Sequence, residues 1–511
     1  MKLRNVLLKS VIFLNLSAVL GAINWNSYPT VEGNFFRRDT GDFIGEVFTL
    51  AAPYIWSESL QRYLYFPEDP TATDGHWAKV IFHDYDSLRV ERRLNITVES
   101  RERVTDDALY FSGEVQFGRN INARGGGFRI HGDYLFVAWY HGGMENRHVM
   151  LSRRHINEDE WSTIQFPHRH IGFRGNPMIG DAHNWISIGI SPIDGTIHLL
   201  YDMHAYTESE FPDDFFNYNV SVPGAATAEN WDISLFNDKQ NYLREGENYE
   251  RVTYPTFRVN NEGELIAMWR IGGHTSGSYH ITRYDGEEWT PNFRLSHGQG
   301  ANPRWGPYGS LRFAQDAFHL VLHARYQGSP APLQSGLYYA TTVDPTAESG
   351  WENIDGQSLE VPFMDLRDLK IGEPTELGVG DRISVSPGFL LTDNGSVHFS
   401  TVVSGTNVHY YRGPDEEEFN VATSGVPDGS LFSLGNIVFK RTIQEGRIRI
   451  YATPAGRSEW ESVFLDRHST AAYNHGTWVR SGNMIYFLGQ HQGNSERLPM
   501  DIIGFRIEMD N

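Results

Sequence analysis

Residues 181–204, DAHNWISIGISPIDGTIHLLYDMH, read as two β-strands joined by a tight turn. Trp185 to Ile190 and Ile197 to Tyr201 are rich in β-branched and aromatic residues, and Ser191 to Gly195 between them is turn material. Folding the segment about that turn brings its outer ends together, so His183 returns beside His204. Adjacent strands lie about 4.8 Å apart, which lets two imidazoles placed there act on one small molecule.

The unit is not alone. A turn followed by an apolar strand recurs as HGDYLFVAWYHGG from His131, DGTIHLLYDMH from Asp194, EGELIAMWRIGG from Glu262, QDAFHLVLHARYQG from Gln315, NGSVHFSTVVSG from Asn394, EGRIRIYATPAG from Glu445 and SGNMIYFLGQHQG from Ser481, seven in all. Several units run on to a tryptophan, read as exposed, that follows acidic or polar residues: Trp161, Trp231, Trp289, Trp351 and Trp460. The period is irregular, but each unit fits a four-stranded blade, and radial repetition of such sheets is how β-propellers protect their edges. The expectation is an all-β chain forming a seven-bladed β-propeller over residues 120–511, with residues 23–119 as an N-terminal β segment packed on it and helping to close the ring. A β-sandwich with a second β-domain is the alternative, but sandwiches carry no such internal repeat.

Composition agrees. The 511 residues include 13 Trp, 25 Tyr and 30 Phe, with 50 Gly and 23 Pro spread along the chain, a mixture suited to many short strands and turns. The first 22 residues, MKLRNVLLKSVIFLNLSAVLGA, place Lys2, Arg4 and Lys9 before and within an apolar stretch that ends in Gly21 and Ala22. That is the pattern of a secretory signal cleaved near Ala22, predicting a protein of the bacterial periplasm or medium. The apolar run is too short to span a bilayer, and no other segment approaches that length. The absence of cysteine excludes disulfides, thiolate metal sites, a cysteine nucleophile and a lipobox anchor. A net charge of -21 argues against nucleic acid as a partner, and an anionic substrate would need a local basic patch. A soluble monomer is expected.

In a propeller the first strand of each blade lines the central channel, so the open ends of the first hairpins converge on one face. The second unit offers His183 and His204 there. The third, YPTFRVNNEGELIAMWR, starts at Tyr254 and ends at Arg270, so its open end sets a tyrosine beside an arginine. This set has a chemical logic. Removing the proton beside a uronic acid carboxylate builds negative charge on that carboxylate, which a guanidinium holds well. A base takes the proton and an acid protonates the departing glycosidic oxygen; imidazole and phenol suit both tasks. The predicted chemistry is β-elimination.

Weaker signals surround the four. His168, Arg169, His170 and Arg174 crowd one loop before the second blade, and His141, Arg325, Tyr326, His475 and His491 sit near comparable hairpin ends. Asn184, His141, Arg325 and Tyr326 are expected as substrate contacts. Stretches at 65–75 and 211–219 cluster oxygen ligands of the kind that hold calcium, but neither matches an EF-hand loop, and polar loops are the favoured reading there.

DAHNWISIGISPIDGTIHLLYDMH followed by YPTFRVNNEGELIAMWRIGG resembles the BNR-repeat-containing propeller family that includes the ulvan lyases, particularly polysaccharide lyase families 24 and 25. The resemblance implies cleavage of ulvan, a sulfated rhamnose and uronic acid polysaccharide, by β-elimination beside the uronate. It implies a catalytic histidine and tyrosine with an arginine that neutralises the carboxylate. Matched residue by residue, His183 and His204 correspond to the family's histidine pair, Tyr254 to its tyrosine and Arg270 to its arginine. On that basis His183 and Tyr254 carry out the proton transfers, in an order left open, while His204 and Arg270 engage the carboxylate. The resemblance calls for no cofactor in the chemistry; it allows a structural metal, which without cysteine is calcium sooner than zinc.

Two other readings compete. A propeller glycosidase needs paired carboxylates, and a sialidase would carry boxes of the form Ser-x-Asp-x-Gly-x-Thr-Trp; SPIDGT at 191 comes nearest and lacks the tryptophan. A sugar-binding propeller without catalysis needs only aromatic stacking.

Overall fold

In the computed structural model the described residues are 30–36, 43–49, 54–57, 62–65, 75–82, 90–109 and 126–510, the last without 144, 178, 182, 328–332, 372–382, 384–386, 467–468, 470 and 494. The signal expected over residues 1–22 and the interior of the 65–75 stretch lie outside them. The chain divides into two compact units, Met1–Thr97 with Ile507–Asn511, and Val98–Arg506. In the first, strands Thr30–Phe36 and Phe43–Thr49 pair antiparallel, as do Tyr54–Ser57 and Arg62–Tyr65.

The larger unit is the propeller. Seven antiparallel sheets follow one another along the chain, and their first strands are Phe128–His131, Ile186–Ile190, Val252–Val259, Trp305–Ala314, Gly388–Leu391, Ser430–Leu434 and Tyr473–Ser481. We number the blades 1 to 7 in that order. Blades 2 and 4 hold three strands rather than four, and isolated bridges such as Tyr218↔Gln240 and Thr341↔Glu352 stand where a fourth strand would run. In the seventh sheet, residues 98–109 lie beside the last strand of the chain, so the fourth strand of blade 7 precedes blade 1 in sequence.

Both faces of each blade are buried, which explains the continuous apolar runs. Ile197–Tyr201 is buried at every position. Its alternate side chains enter different cores: Leu199 packs with Leu151 and Ile164 of blade 1, whereas Leu200 packs with Phe257 and Leu265 of blade 3. A similar core joins Leu488 and Ile502 of blade 7 to Leu135 and Val137 of blade 1 and completes the ring. The hairpin turns need left-handed backbone. Gly195 at φ 69° and Gly263 at φ 82° provide it in blades 2 and 3, while blade 4 uses Gln315 and Asp316 instead.

The tryptophans correct one expectation. Trp289 and Trp351 are 4% and 0% exposed, and the other three are half-buried. The polar residues before them form the turn, but the rings fold back into the blades, where Trp289 Nε1 donates to the Tyr218 hydroxyl and Trp351 Nε1 to the Ala347 carbonyl.

Candidate functional site

The blade 2 hairpin ends its ladder at Ile186↔Tyr201, three residues short of each histidine. Beyond that point Asp202 and Ala205 take left-handed backbone, at φ 54° and 56°, and turn the chain so that His204 bridges Thr253 of blade 3. The two imidazoles stack face to face, with centroids 4.1 Å apart and planes within 4°. One carboxylate holds both: His183 Nδ1 lies 2.7 Å from Asp181 Oδ1, and His204 Nδ1 2.5 Å from Asp181 Oδ2. Asp181 is fully buried while the rings are 23% and 22% exposed. Burial pulls the Asp181 pKa upward, but hydrogen bonds from both imidazoles outweigh it and hold the carboxyl well below its usual range. An ionised Asp181 accepts from both Nδ1 atoms. The lone pair of each neutral ring is therefore on Nε2, across the ring from the carboxylate.

Tyr254 is the next ring, its centroid 5.4 Å from that of His183. Its backbone is left-handed, φ 60°, inside a bulge where pairing slips between Thr253 and Thr256. A bulky residue in that region is strained, and the surroundings must hold it there. The hold is visible: Trp185 Nε1 and Ser187 Oγ of blade 2 both donate to the Pro255 carbonyl, at 3.0 and 2.5 Å. The bulge lifts the phenol out of the strand's alternation, between the Trp185 ring at 4.8 Å and the Tyr308 ring at 6.2 Å.

Tyr308, on the first strand of blade 4, carries the cations. The Arg270 guanidinium stands 4.8 Å from its ring centre, that of Arg325 4.2 Å, and His323 stacks at 5.5 Å. The two arginines differ. Arg270 is buried and donates to the carbonyls of Pro307, Gly272 and Gly273. Arg325 is half-exposed, and its Nε is buried without a hydrogen-bond partner.

Of the residues predicted from the sequence, His183, His204 and Tyr254 thus meet directly, and Arg270 and Arg325 reach them through Tyr308. Asn184 is fully buried beneath the histidines, donating to Asp202 Oδ1 and the Tyr206 hydroxyl. Tyr326 bonds the Tyr338 hydroxyl at 2.7 Å. His141 bridges Ala108 and stacks on Trp139. His491 bonds Asp501 at 2.5 Å within blade 7. His168 and His170 bind either oxygen of buried Asp202, at 2.7 and 2.6 Å, while Arg169 and Arg174 are exposed. A cleft of about 380 Å³ lined by Arg147, Arg169, His170 and Phe211 adjoins them.

Asp181, Tyr308 and Trp185 escaped the sequence reading. The signal for Asp181 was present, an acid two residues before a histidine at a strand's mouth. Asp181, His183 and His204 also have ligand atoms within 4.8 Å of one another, but the Nδ1 contacts have hydrogen-bond lengths, and the trio is formed as a proton-bearing unit. In the 211–219 loop, one of the two oxygen-rich stretches, Lys239 Nζ donates to the Asp213 carbonyl, Asp214 Oδ1 and Asn217 Oδ1, so an ammonium lies among those oxygens.

Comparison with known proteins bears on the family and the fold. The BNR repeat-containing family matches residues 134–422. The chain is 30% identical over 482 residues to the short isoform of an ulvan lyase from Alteromonas sp. (strain LOR), covering 81% of this chain and 90% of that one. It is 28% identical over 480 residues to a long isoform from Pseudoalteromonas sp. (strain PLSV), and the match spans 48% of that relative's length. Among solved structures, the polysaccharide lyase Uly1 superposes with a TM-score of 0.73 at 25% identity, over 80% of this chain and 99% of that one. A family 25 ulvan lyase bound to -[GlcA(1-4)Rha3S]- shares the fold, with a TM-score of 0.56 at 13% identity over 78% and 94%.

Proposed function

The chain belongs to the BNR repeat-containing ulvan lyases, and from that footing we propose how its residues divide the reaction. The protein is a polysaccharide lyase that cleaves ulvan. His183 and Tyr254 carry the two protons. One removes the hydrogen beside the uronate carboxylate, the C–H electron pair becomes the new double bond, and the glycosidic C–O bond breaks as the other protonates the leaving oxygen. His204, stacked on His183, shares the carboxylate of Asp181 and faces the same substrate group. Arg325 meets the uronate carboxylate from the solvent side, and Arg270 adds its charge from beneath Tyr308.

The observation that carries this reading is the shared Asp181 carboxylate. It orients two stacked imidazoles beside a phenol held in strained backbone, an arrangement no structural role requires. Hydrolysis by paired acids does not suit Asp181, which is fully buried with each oxygen bonded to an imidazole Nδ1. Each proton is assigned to a side chain of this chain. Export led by residues 1–22, and action as a monomer on the soluble polymer, complete the proposal. Among the described residues no helix is long and apolar enough to cross a membrane.

The test is ultraviolet absorbance of the unsaturated uronate while purified protein acts on ulvan, with Tyr254→Phe beside it. The wild type should give a steady rise, and the variant should lose it by about 10²-fold or more. A flat trace with new reducing ends would mean hydrolysis and overturn the mechanism.

A further inference from the structure

Arginine occupies one equivalent place in the first strands of three blades: Arg129 in blade 1, Arg258 in blade 3 and Arg312 in blade 4. Each reaches the first strand of the next blade. Arg129 Nε donates to the Ile188 carbonyl at 3.0 Å, Arg258 Nε to Leu311 at 2.7 Å, and Arg312 Nη1 to Phe389 at 2.7 Å. Arg129 and Arg258 also give Nη1 to the carbonyl just before them, Phe128 and Phe257. From the other side of the ring, Arg480 of blade 7 donates to Ser433 of blade 6, and Arg441 stands 5.1 Å from the rings of both Phe432 and Trp478. Four of the five stand on first strands, which surround the propeller axis, and Arg441 stands on the second strand of blade 6 beside Trp478 of blade 7.

Among the described residues these charges are sparsely balanced. Burial pushes Arg258 and Arg441 down to about 9 and Arg129 to about 10; repulsion adds to it, from Arg129 and Arg312 on Arg258, and from Arg312 and Arg480 on Arg441. Among the described residues no carboxylate acts on Arg129, Arg258, Arg312 or Arg441, and Asp393 attracts Arg480. Arg129 Nη2 and Arg441 Nε are buried and have no hydrogen-bond partner. A guanidinium does not shed its proton at ordinary pH, and like charges gathered here, four of them half-buried and Arg480 exposed, favour a counter-ion. In a chain of net charge -21 the cluster is a sharp local exception.

We propose that the axial channel binds a small inorganic oxyanion of the sulfate or phosphate class, held by Arg129, Arg258 and Arg312, with Arg441 and Arg480 adding charge. Planar guanidinium forks match tetrahedral oxyanions, and each fork here is already aimed by its carbonyl bonds. The site is separate from the catalytic rim. Arg258 lies four residues beyond Tyr254 and Arg312 four beyond Tyr308, about 13 Å down the strands at roughly 3.3 Å per residue. The ion ties together blades that share no sheet, and its role is structural.

The experiment uses the full chain equilibrated in a gluconate buffer, whose anion is a flexible carboxylate rather than a tetrahedral oxyanion, and titrated with sodium sulfate against gluconate at matched ionic strength. Thermal unfolding should rise by about 2–4 °C and saturate, as expected for a ligand of the native state alone, and Arg258→Gln should abolish the saturating phase. Sulfate also stabilises proteins by exclusion, but that effect grows without saturating. A second measurement does not need the variant to fold: ion chromatography of wild type, desalted into gluconate and then denatured, should release about one equivalent of sulfate or phosphate per chain. Release below about a tenth of an equivalent, together with a purely linear sulfate response, would overturn the proposal. Lyase activity enters neither readout, so failure here leaves the catalytic assignment untouched.

Discussion

Two aspartates in blade 2 each carry two histidines, and they do different things. Asp202 receives His168, His170, Asn184 and the Ile171 amide, with both of its histidine side chains 6% exposed or less. Asp181 receives His183 and His204, whose rings open to solvent at the blade's mouth. Hydrogen bonds from histidine hold both carboxyls well below the usual range against the upward pull of burial. The chemistry at the carboxylate is nearly the same, and access is what differs. A carboxylate sealed with its histidines is a strut, whereas one that seals only itself aims them. His168 makes the point from the other side: burial pulls its pKa down, yet bonds to Asp202 and Asp214 raise it above the ordinary value, so the enclosure favours its charged form.

The sharpest way to break this comparison is to change each carboxylate to an amide. In Asp181→Asn one imidazole must reverse its tautomer, because an amide nitrogen donates where the carboxylate accepted. The expected loss in kcat is about 10²–10⁴-fold with polymer binding little changed, read from initial elimination rates and a pull-down on ulvan. Asp202→Asn should instead cost about 3–5 kcal/mol of stability, because it breaks a buried carboxylate network of two histidines, Asn184 and the Ile171 amide. Its urea midpoint should drop, while kcat of the folded fraction stays within about threefold of wild type. If the two variants exchanged phenotypes, strut and aiming device would have been assigned the wrong way round.

The arginines around Tyr308 extend the contrast to a smaller scale. Arg325→Ala should raise KM about tenfold, the loss of one charge-assisted contact worth about 1.4 kcal/mol, and leave the unfolding curve near wild type. Arg270→Lys removes a fork engaged with three carbonyls and should lower stability by about 1–3 kcal/mol, with a weaker effect on KM. Steady-state kinetics and urea unfolding on both proteins separate the roles; a KM effect confined to Arg270→Lys would reverse them.

Much of this was legible in the sequence because hairpin geometry is local. Seven turns before apolar strands give the blades, and folding Ser191–Gly195 back on itself places His183 beside His204 without knowledge of any other residue. Tyr254 could be placed at the rim, but its left-handed bulge depends on donors from blade 2, a contact between segments that local pattern does not encode. Asp181 was hidden by abundance, one acid among 64. Tyr308 was missed because the reading of blade 4 stopped at the strand end that carries Arg325 and Tyr326, whereas the tyrosine comes from the facing strand. Arg129, Arg258 and Arg312 each look like a stray charge in a strand until the blades are aligned around one axis.

Histidines in the body of the blades give the finest version of the comparison. His198, His319 and His398 sit at like positions in second strands of blades 2, 4 and 5, all buried, and their nitrogens meet neutral partners: Tyr218 and Thr196, Tyr339 and the Ala314 carbonyl, His409 and the Gly456 amide. Burial pushes His198 and His398 down to about 3. The unfolded value is about 6.5, so between those limits the unfolded chain binds one more proton per histidine and stability falls as pH falls, by at most about 1.4 kcal/mol per pH unit for each. His168 works oppositely, since its contribution is complete below about 6.5 and is lost as pH rises through its raised value. The lowered aspartates lose theirs only as pH drops below about 3.8. Between pH 6 and 4, then, the slope belongs to the neutral histidines. His398→Gln, which keeps a donor and an acceptor without a titratable ring, should flatten the stability curve in that window by about 1.4 kcal/mol per pH unit, measured by urea unfolding at several pH values. An unchanged slope would mean that His398 is protonated in the folded blade, and that enclosure without a carboxylate does not keep a histidine neutral here.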